Sequence, residues 1–381
     1  VTLYLDHAAA APVHPAVRDA IVALLDGGLI GTEQANPSSR HEPGERASRV
    51  LADARARVAA TLGCRAGEVV LTSGGTEADN LGVIGMALAD PRGRHLVTSP
   101  LEHSAVLESA DYLRRLHGFE VDLLPVDSDG LVDPATLADA LRPDTTLVSI
   151  AYASNEIGTV QPIPELAAVT RAAGIRMHVD AVQAAPWYDV APAVLGVDAV
   201  SVAGHKLGTP TGVGALLVRG AVPLEPLIHG GGQERGRRAG TESLLAAVAL
   251  ATALENRPTA GAAAEAEAAR DILIDSVLRD VPDSILTGSR THRLPGHASF
   301  CFPGIAGEAV LVELGVRGIA CSSGSACAAG SDEPSPALLA LGIPPEVAQT
   351  AVRFTFGAGF TSDDARHVAA EVARAVERVS G

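Results

Sequence analysis

The sequence predicts an α/β fold: a mainly parallel, seven-stranded sheet with helices on both faces, followed by a smaller C-terminal α/β domain. Three observations carry the prediction. From residue 69 to residue 218, short apolar runs alternate with helical patterns. Strands buried on both faces read as such runs, and helices between them supply parallel crossovers. After Asn256-Arg257-Pro258 the alternation gives way to a long Ala-rich segment. Finally, 381 residues that are 47% hydrophobic suffice for two cores. The expected boundaries are 15–257 for a large domain, and 1–14 with 258–381 for a small one.

In chain order, a helix is expected over 15–25, where apolar residues recur at helical spacing until Gly27-Gly28. A second, amphipathic helix over 45–62 sets Val50, Leu51, Ala54, Val58 and Leu62 on its apolar side. Strands follow at 69–71, 96–98, 121–124, 147–150, 177–179 and 200–203, with a further apolar run at 213–218. The helices between them are expected over 77–89, 105–116, 134–141 and 164–173. The C-terminal part should hold long helices over 262–278 and 362–379, with short strands and helices between.

Composition narrows the function classes. With 45 acidic against 29 basic residues the net charge is −16, which argues against direct nucleic-acid binding. The longest apolar stretch, Leu244 to Leu254, is too short for a bilayer. The opening Val1-Thr2-Leu3-Tyr4-Leu5-Asp6 lacks the basic segment of a signal peptide. Four cysteines make no disulfide framework in so long a chain, and Cys64 and Cys301 read as buried fillers. A reducing, cytoplasmic setting without membrane association is expected.

In sheets of this kind ligands bind beyond the carboxyl ends of the strands. After 69–71 comes Thr72-Ser73-Gly74-Gly75-Thr76-Glu77, where Gly75, Thr76 and the free N–H groups of a helix start form an anion cradle. The plainer alternative is a glycine turn capped by Thr76. Glu102-His103 follows 96–98, Asn155-Glu156 follows 147–150, Asp180 and Gln183 follow 177–179, and His205-Lys206 follows 200–203. One polar residue at a strand end is usually an ordinary loop residue. Five such ends at one sheet edge, with a lysine able to form a Schiff base when desolvated, fit pyridoxal 5′-phosphate. Lys206 would hold the aldehyde, and Asp180 would keep the pyridine nitrogen protonated. His103 would stack on the ring, Gln183 and Asn155 would bond its hydroxyl side, and Thr76 with His205 would bond the phosphate.

The same residues fall within a longer pattern. It includes Tyr4-Leu5-Asp6-His7-Ala8, Asn36-Pro37-Ser38-Ser39, Ser73-Gly74-Gly75-Thr76-Glu77-Ala78-Asp79-Asn80, Glu102-His103 and Asn155-Glu156-Ile157-Gly158. It continues through His178-Val179-Asp180-Ala181-Val182-Gln183, Gly204-His205-Lys206, Gly230-Gly231-Gly232-Gln233-Glu234-Arg235 and Arg353-Phe354. In these motifs the chain resembles the cysteine desulfurases of the aminotransferase class V group, which are fold type I pyridoxal-phosphate enzymes. The resemblance points to Cys327, in Ser322-Ser323-Gly324-Ser325-Ala326-Cys327 ahead of Glu333-Pro334-Ser335, as a nucleophile on a long mobile loop. Cys321 ends an apolar run from Val316 and reads as structural.

The resemblance also implies a reaction. L-cysteine becomes L-alanine, and a persulfide on Cys327 passes to a sulfur-acceptor protein. Arg353 and Asn155 would hold the substrate carboxylate, Lys206 would take the α-proton, and His103 would serve proton exchange at the sulfurs. The acceptors implied are iron–sulfur scaffolds, tRNA thiolation enzymes or DNA phosphorothioation machinery. No resident metal is implied, although Cys327 is a candidate transient iron–sulfur ligand. Thr241 matches a position that reaches the neighbouring subunit's phosphate, which implies a homodimer with shared active sites. Ala203 departs from the family's usual serine and removes one phosphate hydrogen bond, worth about 1–3 kcal/mol. Gln233 replaces a common histidine, and Ala8-Ala9-Ala10 is more apolar than usual. Selenocysteine lyase, class V aminotransferase and a catalytically silent sulfur-relay scaffold are the competing readings.

Overall fold

The structure, a computed structural model, describes residues 2–26, 35–323 and 334–380. Its described strands are β1 (Leu3–Tyr4), β2 (Val69–Thr72), β3 (His95–Thr98), β4 (Glu120–Leu123), β5 (Thr145–Ala151), β6 (Arg176–Asp180), β7 (Ala199–Ala203), β8 (Gly214–Val218), β9 (Ile285–Leu286), β10 (His297–Cys301), β11 (Ile319–Ala320), β12 (Ser322–Ser323) and β13 (Ala351–Thr355). Seven form one sheet in the order β2-β8-β7-β6-β5-β3-β4. β4, β3, β5, β6 and β7 run parallel, and β8 is antiparallel to both its neighbours. The fold class is therefore the α/β class expected, with the apolar run at 213–218 supplying the antiparallel strand.

Alternation along the strands feeds two cores. Val97, Val148, Val179 and Val200 face one side and pack with Ala47, Leu51, Ala54 and Val58 of the helix Glu42–Thr61. Leu96, Leu147 and Ala199 face the other and pack with Ala78, Leu81, Val106 and Leu113. Residues one apart on a strand point to opposite faces, so continuous apolar runs were needed.

The helix expected over 77–89 starts earlier, at Gly75, and is not regular. Gly75–Asn80 is α-helical, Leu81–Gly85 is a π turn, and Met86–Ala89 is α-helical again. Within the π turn Gly82 packs closely on β6, where a Cβ would lie 2.5 Å from the His178 ring.

A second group of elements has its own core. β12-β13-β10-β9 form an antiparallel sheet, and β1 pairs in parallel with β11. Phe300, Phe302 and Phe354 pack there with Leu5 and with the helices Ala260–Asp280 and Ser362–Ser380. Val368, Val372, Ala375 and Val376 recur at helical spacing and give the last helix its buried stripe. Cys301 is buried as expected, whereas Cys64 is only half-buried. The run from Val316 is not one strand: Val316 ends the helix Gly307–Val316 and is 79% exposed.

Candidate active site

β7 runs straight into the turn Gly204–Lys206. Only glycine fits at 204, because a Cβ would lie 2.4 Å from Thr209 Oγ1 and 2.6 Å from Val213 Cγ1. Lys206 Nζ then donates to the carbonyls of Ala8 at 2.5 Å and Ala9 at 2.6 Å. Gln183 Nε2 donates to the same Ala8 carbonyl at 3.0 Å. The small side chains of Ala8–Ala10 leave their backbone carbonyls open to the lysine, and Ala11 N–H donates to His205 O at 2.8 Å.

Asp180 ends β6 beside this turn and is buried. Its Oδ1 accepts the Val182 N–H at 2.8 Å. Burial pushes its carboxyl up, while the Val182 N–H and the charges of His103 and Lys206 pull it back. His103 caps the helix Ser104–His117, its Nδ1 accepting the Ala105 N–H at 3.0 Å. A neutral His103 ring therefore carries its proton on Nε2. Burial, then the charges of Lys206 and His103, lower His205 to about 4, so its imidazole is neutral at pH 7.

At the cradle the cap is Gly74, not Thr76, and Thr76 is exposed at the second helical position. Thr72 Oγ1 donates to Gly74 O at 2.9 Å, and Ser73 N–H donates to Glu77 at 2.8 Å. A Cβ on Gly74 would meet nothing within 4 Å, whereas one on Gly75 would lie 3.1 Å from Ala203 Cβ. Space ahead of the helix start is open, and the helix dipole and N–H groups face it.

Arg353 comes from the other sheet, on β13, and is fully buried. Its Nη1 donates to the Asn155 carbonyl at 2.9 Å and its Nη2 to Asp6 Oδ1 at 3.0 Å. Its Nε has no partner among the described residues. Asn155 thus meets Arg353 through its backbone, and the Asp6 counter-ion is a contact the sequence reading missed. Thr241 is exposed and shares with Ser73 and Arg238 a cavity of about 120 Å³. Cys327 lies outside the described residues. Burial pushes the Cys321 thiol up to about 12, which suits a structural residue. Between the two sheets, His7, Gln183, Trp187, Lys206, His297 and Phe356 line a cavity of about 440 Å³.

Two further acids lie beneath Asp180. Glu102 Oε1 accepts the Ser99 hydroxyl at 2.6 Å, its Oε2 has no partner among the described residues, and burial, against the Ser99 hydroxyl and the Ala151 backbone, raises it to about 8. Asp79 is 1% exposed, and burial plus the Asp180 charge hold it well above its ordinary value. His178 is held between Ser149 and Ser201 hydroxyls, each at 2.9 Å, and burial lowers it to about 3. Asp180 is the acid of this group that has cationic neighbours. Asp79 stands beside Ala78 and Leu81, on a face legible as buried; its protonation was not.

These residues fit pyridoxal 5′-phosphate on the structure's own terms: an amine at a strand end, a buried carboxylate beside it, and an open helix start for a phosphate. Among the described residues no cluster of three His, Cys, Asp or Glu side chains could hold a metal ion. None of the described helices is long and apolar enough to cross a membrane.

Comparison with known proteins gives a consistent result. Residues 3–368 match the model of the aminotransferase class-V family. Cysteine desulfurase IscS of Dictyoglomus turgidum is 39% identical, across 99% of this chain and 95% of its own length. The IscS-like cysteine desulfurase of Mycobacterium tuberculosis is 42% identical, across 93% and 91%. Among solved structures, a NifS-like protein superposes with a TM-score of 0.90 at 31% identity, covering 99% of this chain and all of the other. SspA in complex with cysteine superposes at 0.81 with 32% identity, covering 93% and 99%.

Proposed function

The chain belongs to the aminotransferase class V family, as one of its cysteine desulfurases, and from that premise we propose how its own residues carry the reaction. The family is pyridoxal-phosphate dependent. In this chain Lys206 would hold the aldehyde, and the Asp180 carboxylate would accept the ring N–H. Gly75, Thr76 and His205 would receive the phosphate, joined by Thr241 of the partner subunit in a homodimer. His103 would cover the ring, while Gln183 and Asn155 would orient it. When bound, the cofactor supplies the electron sink that makes the α-proton of an amino acid removable.

L-cysteine enters with its carboxylate toward Arg353, the buried guanidinium that the Asp6 carboxylate and the Asn155 carbonyl hold in place. Lys206 takes the Cα proton. The Cys327 thiolate attacks the substrate sulfur, so that an S–S bond forms as the Cβ–S bond breaks. His103, with its proton on Nε2, serves proton exchange at the departing and arriving sulfurs. Cβ keeps the electron pair of the broken bond and takes up a proton, Lys206 returns a proton to Cα, L-alanine leaves, and the persulfide passes to an acceptor protein. We assign 15–257 to the cofactor-binding domain, and 1–14 with 258–381 to the domain that brings Arg353 and Cys327. A reducing, cytoplasmic compartment suits this thiol chemistry.

One observation carries the assignment: the Lys206 amine sits at a strand end beside the buried Asp180 carboxylate, within a chain that matches desulfurases along nearly its whole length. The test uses holoenzyme and L-cysteine. Wild type should yield alanine and a persulfide on the Cys327 peptide. Cys327→Ser should keep the cofactor absorbance and lose alanine formation by at least about 100-fold. Lys206→Ala should leave no cofactor reducible onto the chain by borohydride. Full-rate alanine formation by Cys327→Ser would overturn the nucleophile assignment.

A further inference from the structure

The cavity of about 440 Å³ between the two sheets has the size of a small-ligand site. Of the residues proposed to act on L-cysteine and the cofactor, only Gln183 and Lys206 line it; His103, Asp180 and Arg353 do not. Its apolar walls come from separate parts of the chain: Pro186, Trp187 and Leu207 on one side, Leu294 and Phe356 on the other, and Val13 from the opening segment. A Cβ on Gly296 would lie 2.8 Å from Trp187 Cζ2, and one on Gly357 would lie 3.1 Å from His7 Cε1. Gly208, at a φ of +89°, brings its backbone equally close to Pro12 O. Glycine at these positions lets the walls meet closely around the space.

The charge around the cavity has one sign. The chain carries a net charge of −16, yet none of the described residues that line the cavity is Asp or Glu. Arg257 is half-buried in its wall, and its hydrogen bonds go to neutral carbonyls alone. Its Nη1 donates to Ala185 O at 3.0 Å and Tyr188 O at 3.2 Å, and its Nε to Leu254 O at 3.3 Å. Its Nη2 makes no hydrogen bond among the described residues. Burial lowers the guanidinium, and the charge of Asp189, outside the lining, partly offsets this. A cation drawn out of water without a counter-ion is unfavourable, and an anion beside it relieves that cost. His14 adds a second donor. Its Nδ1 accepts the Ala16 N–H at 3.2 Å, so a neutral ring carries its proton on Nε2.

We propose that this cavity is a second ligand site, separate from that of L-cysteine, for a small carboxylate with an apolar or aromatic body. The body would lie among Trp187, Leu294 and Phe356, and the carboxylate would meet Arg257 and His14 Nε2. The site needs no part of the sulfur chemistry.

Trp187 is the chain's single tryptophan, so its fluorescence reports on this wall alone. The holoenzyme is titrated with 4-tert-butylbenzoate and with the isosteric 4-tert-butylbenzamide. The carboxylate should change the fluorescence saturably, with a midpoint at least about 10-fold below that of the amide. Arg257→Met should raise the carboxylate midpoint about 10-fold or more and leave the amide midpoint unchanged. A merely structural loss of the turn that carries Trp187 would weaken both ligands alike. Equal midpoints in wild type, or no saturable change, would overturn the proposal whether or not Arg257→Met folds. L-alanine tests the separateness of the two sites: it should shift the carboxylate midpoint by an amount that levels off, or not at all. A shift that grows in proportion to L-alanine places the carboxylate at Arg353 and also defeats the proposal. If L-alanine leaves the cofactor absorbance unchanged, the substrate reading fails, and the comparison of acid with amide still decides the cavity.

Discussion

Glu102 shows how much of this site is decided by where a proton rests. Its carboxyl is buried under Asp180 with one oxygen unpartnered, and its native value is about 8 against an ordinary 4.5. Between those values the native protein keeps a proton that the unfolded chain gives up. The stabilisation is thus fully present below about pH 4.5 and is lost as pH rises through about 8. The slope it contributes is at most about 1.4 kcal/mol per pH unit. Glu102→Gln removes the titration, so its denaturation midpoint should fall less than that of wild type between pH 5 and pH 8. Chemical denaturation at a series of pH values measures the difference. His205 works in the opposite sense. With a native value of about 4 it stays neutral where the unfolded residue would protonate, so stability drops as pH falls from about 6.5 toward 4. A neutral imidazole can still donate one N–H, which is all a phosphate oxygen asks of it.

At the scale of elements, the helix that begins at Gly75 carries the proposed phosphate cradle at one end and a π turn at Leu81–Gly85 in its middle. Gly82→Ala would press a methyl group to 2.5 Å from the His178 ring. That overpacking should cost about 1–3 kcal/mol, and the shift of the helix start should weaken cofactor retention at the same time. Thermal melts and loss of cofactor on dialysis report the two effects separately. This helix also marks the limit of what its sequence says. Apolar spacing over 77–89 identified a helix, and five strand ends pointed to the candidate site, because both signals are local. The close approach of Gly82 in the π turn to His178 joins residues nearly a hundred apart. The buried pair Arg55–Glu234, bonded twice at 2.6 Å and holding Glu234 and Arg235 at φ 47° and 59°, joins residues 179 apart. Asp6 on Arg353 is a contact of the same long-range kind. Lys206, Asp180 and His103 were legible because strand ends announce themselves; their partners were not, because partner choice is made by tertiary packing.

At the scale of the whole molecule, Lys206 comes from the seven-stranded sheet and Arg353 from the four-stranded one, so the two sheets must hold their relative placement for the site to exist. The proposed homodimer adds a second requirement that mixing can test. Lys206→Ala lacks the lysine in its own site, and Thr241→Val lacks the hydroxyl it would lend to its partner. If the hydroxyl crosses between subunits, a heterodimer of the two variants contains one intact site. Unfolding and refolding an equimolar mixture should then restore firm cofactor retention to about a quarter of all sites, since half the dimers are mixed. If Thr241 serves its own chain, mixing restores nothing. Absorbance of the cofactor after gel filtration of the mixture gives the count.

The parallel pairing of β1 with β11 has a consequence for the order in which this protein can be made. Leu3 and Tyr4 bond alongside Ile319 and Ala320, and Leu5 packs with Phe300 and Phe354. Leu3 and Tyr4 have their β partners more than three hundred residues later in the chain, so this pairing cannot form until that stretch has been polymerised. All seven strands of the large sheet lie within residues 69–218, so that sheet's own pairings are complete in the chain a hundred residues before Ile319 and Ala320 exist. At the usual elongation rate of about 5–20 residues per second, the unpaired β1 edge persists for tens of seconds during synthesis, and its length of two residues keeps that edge short.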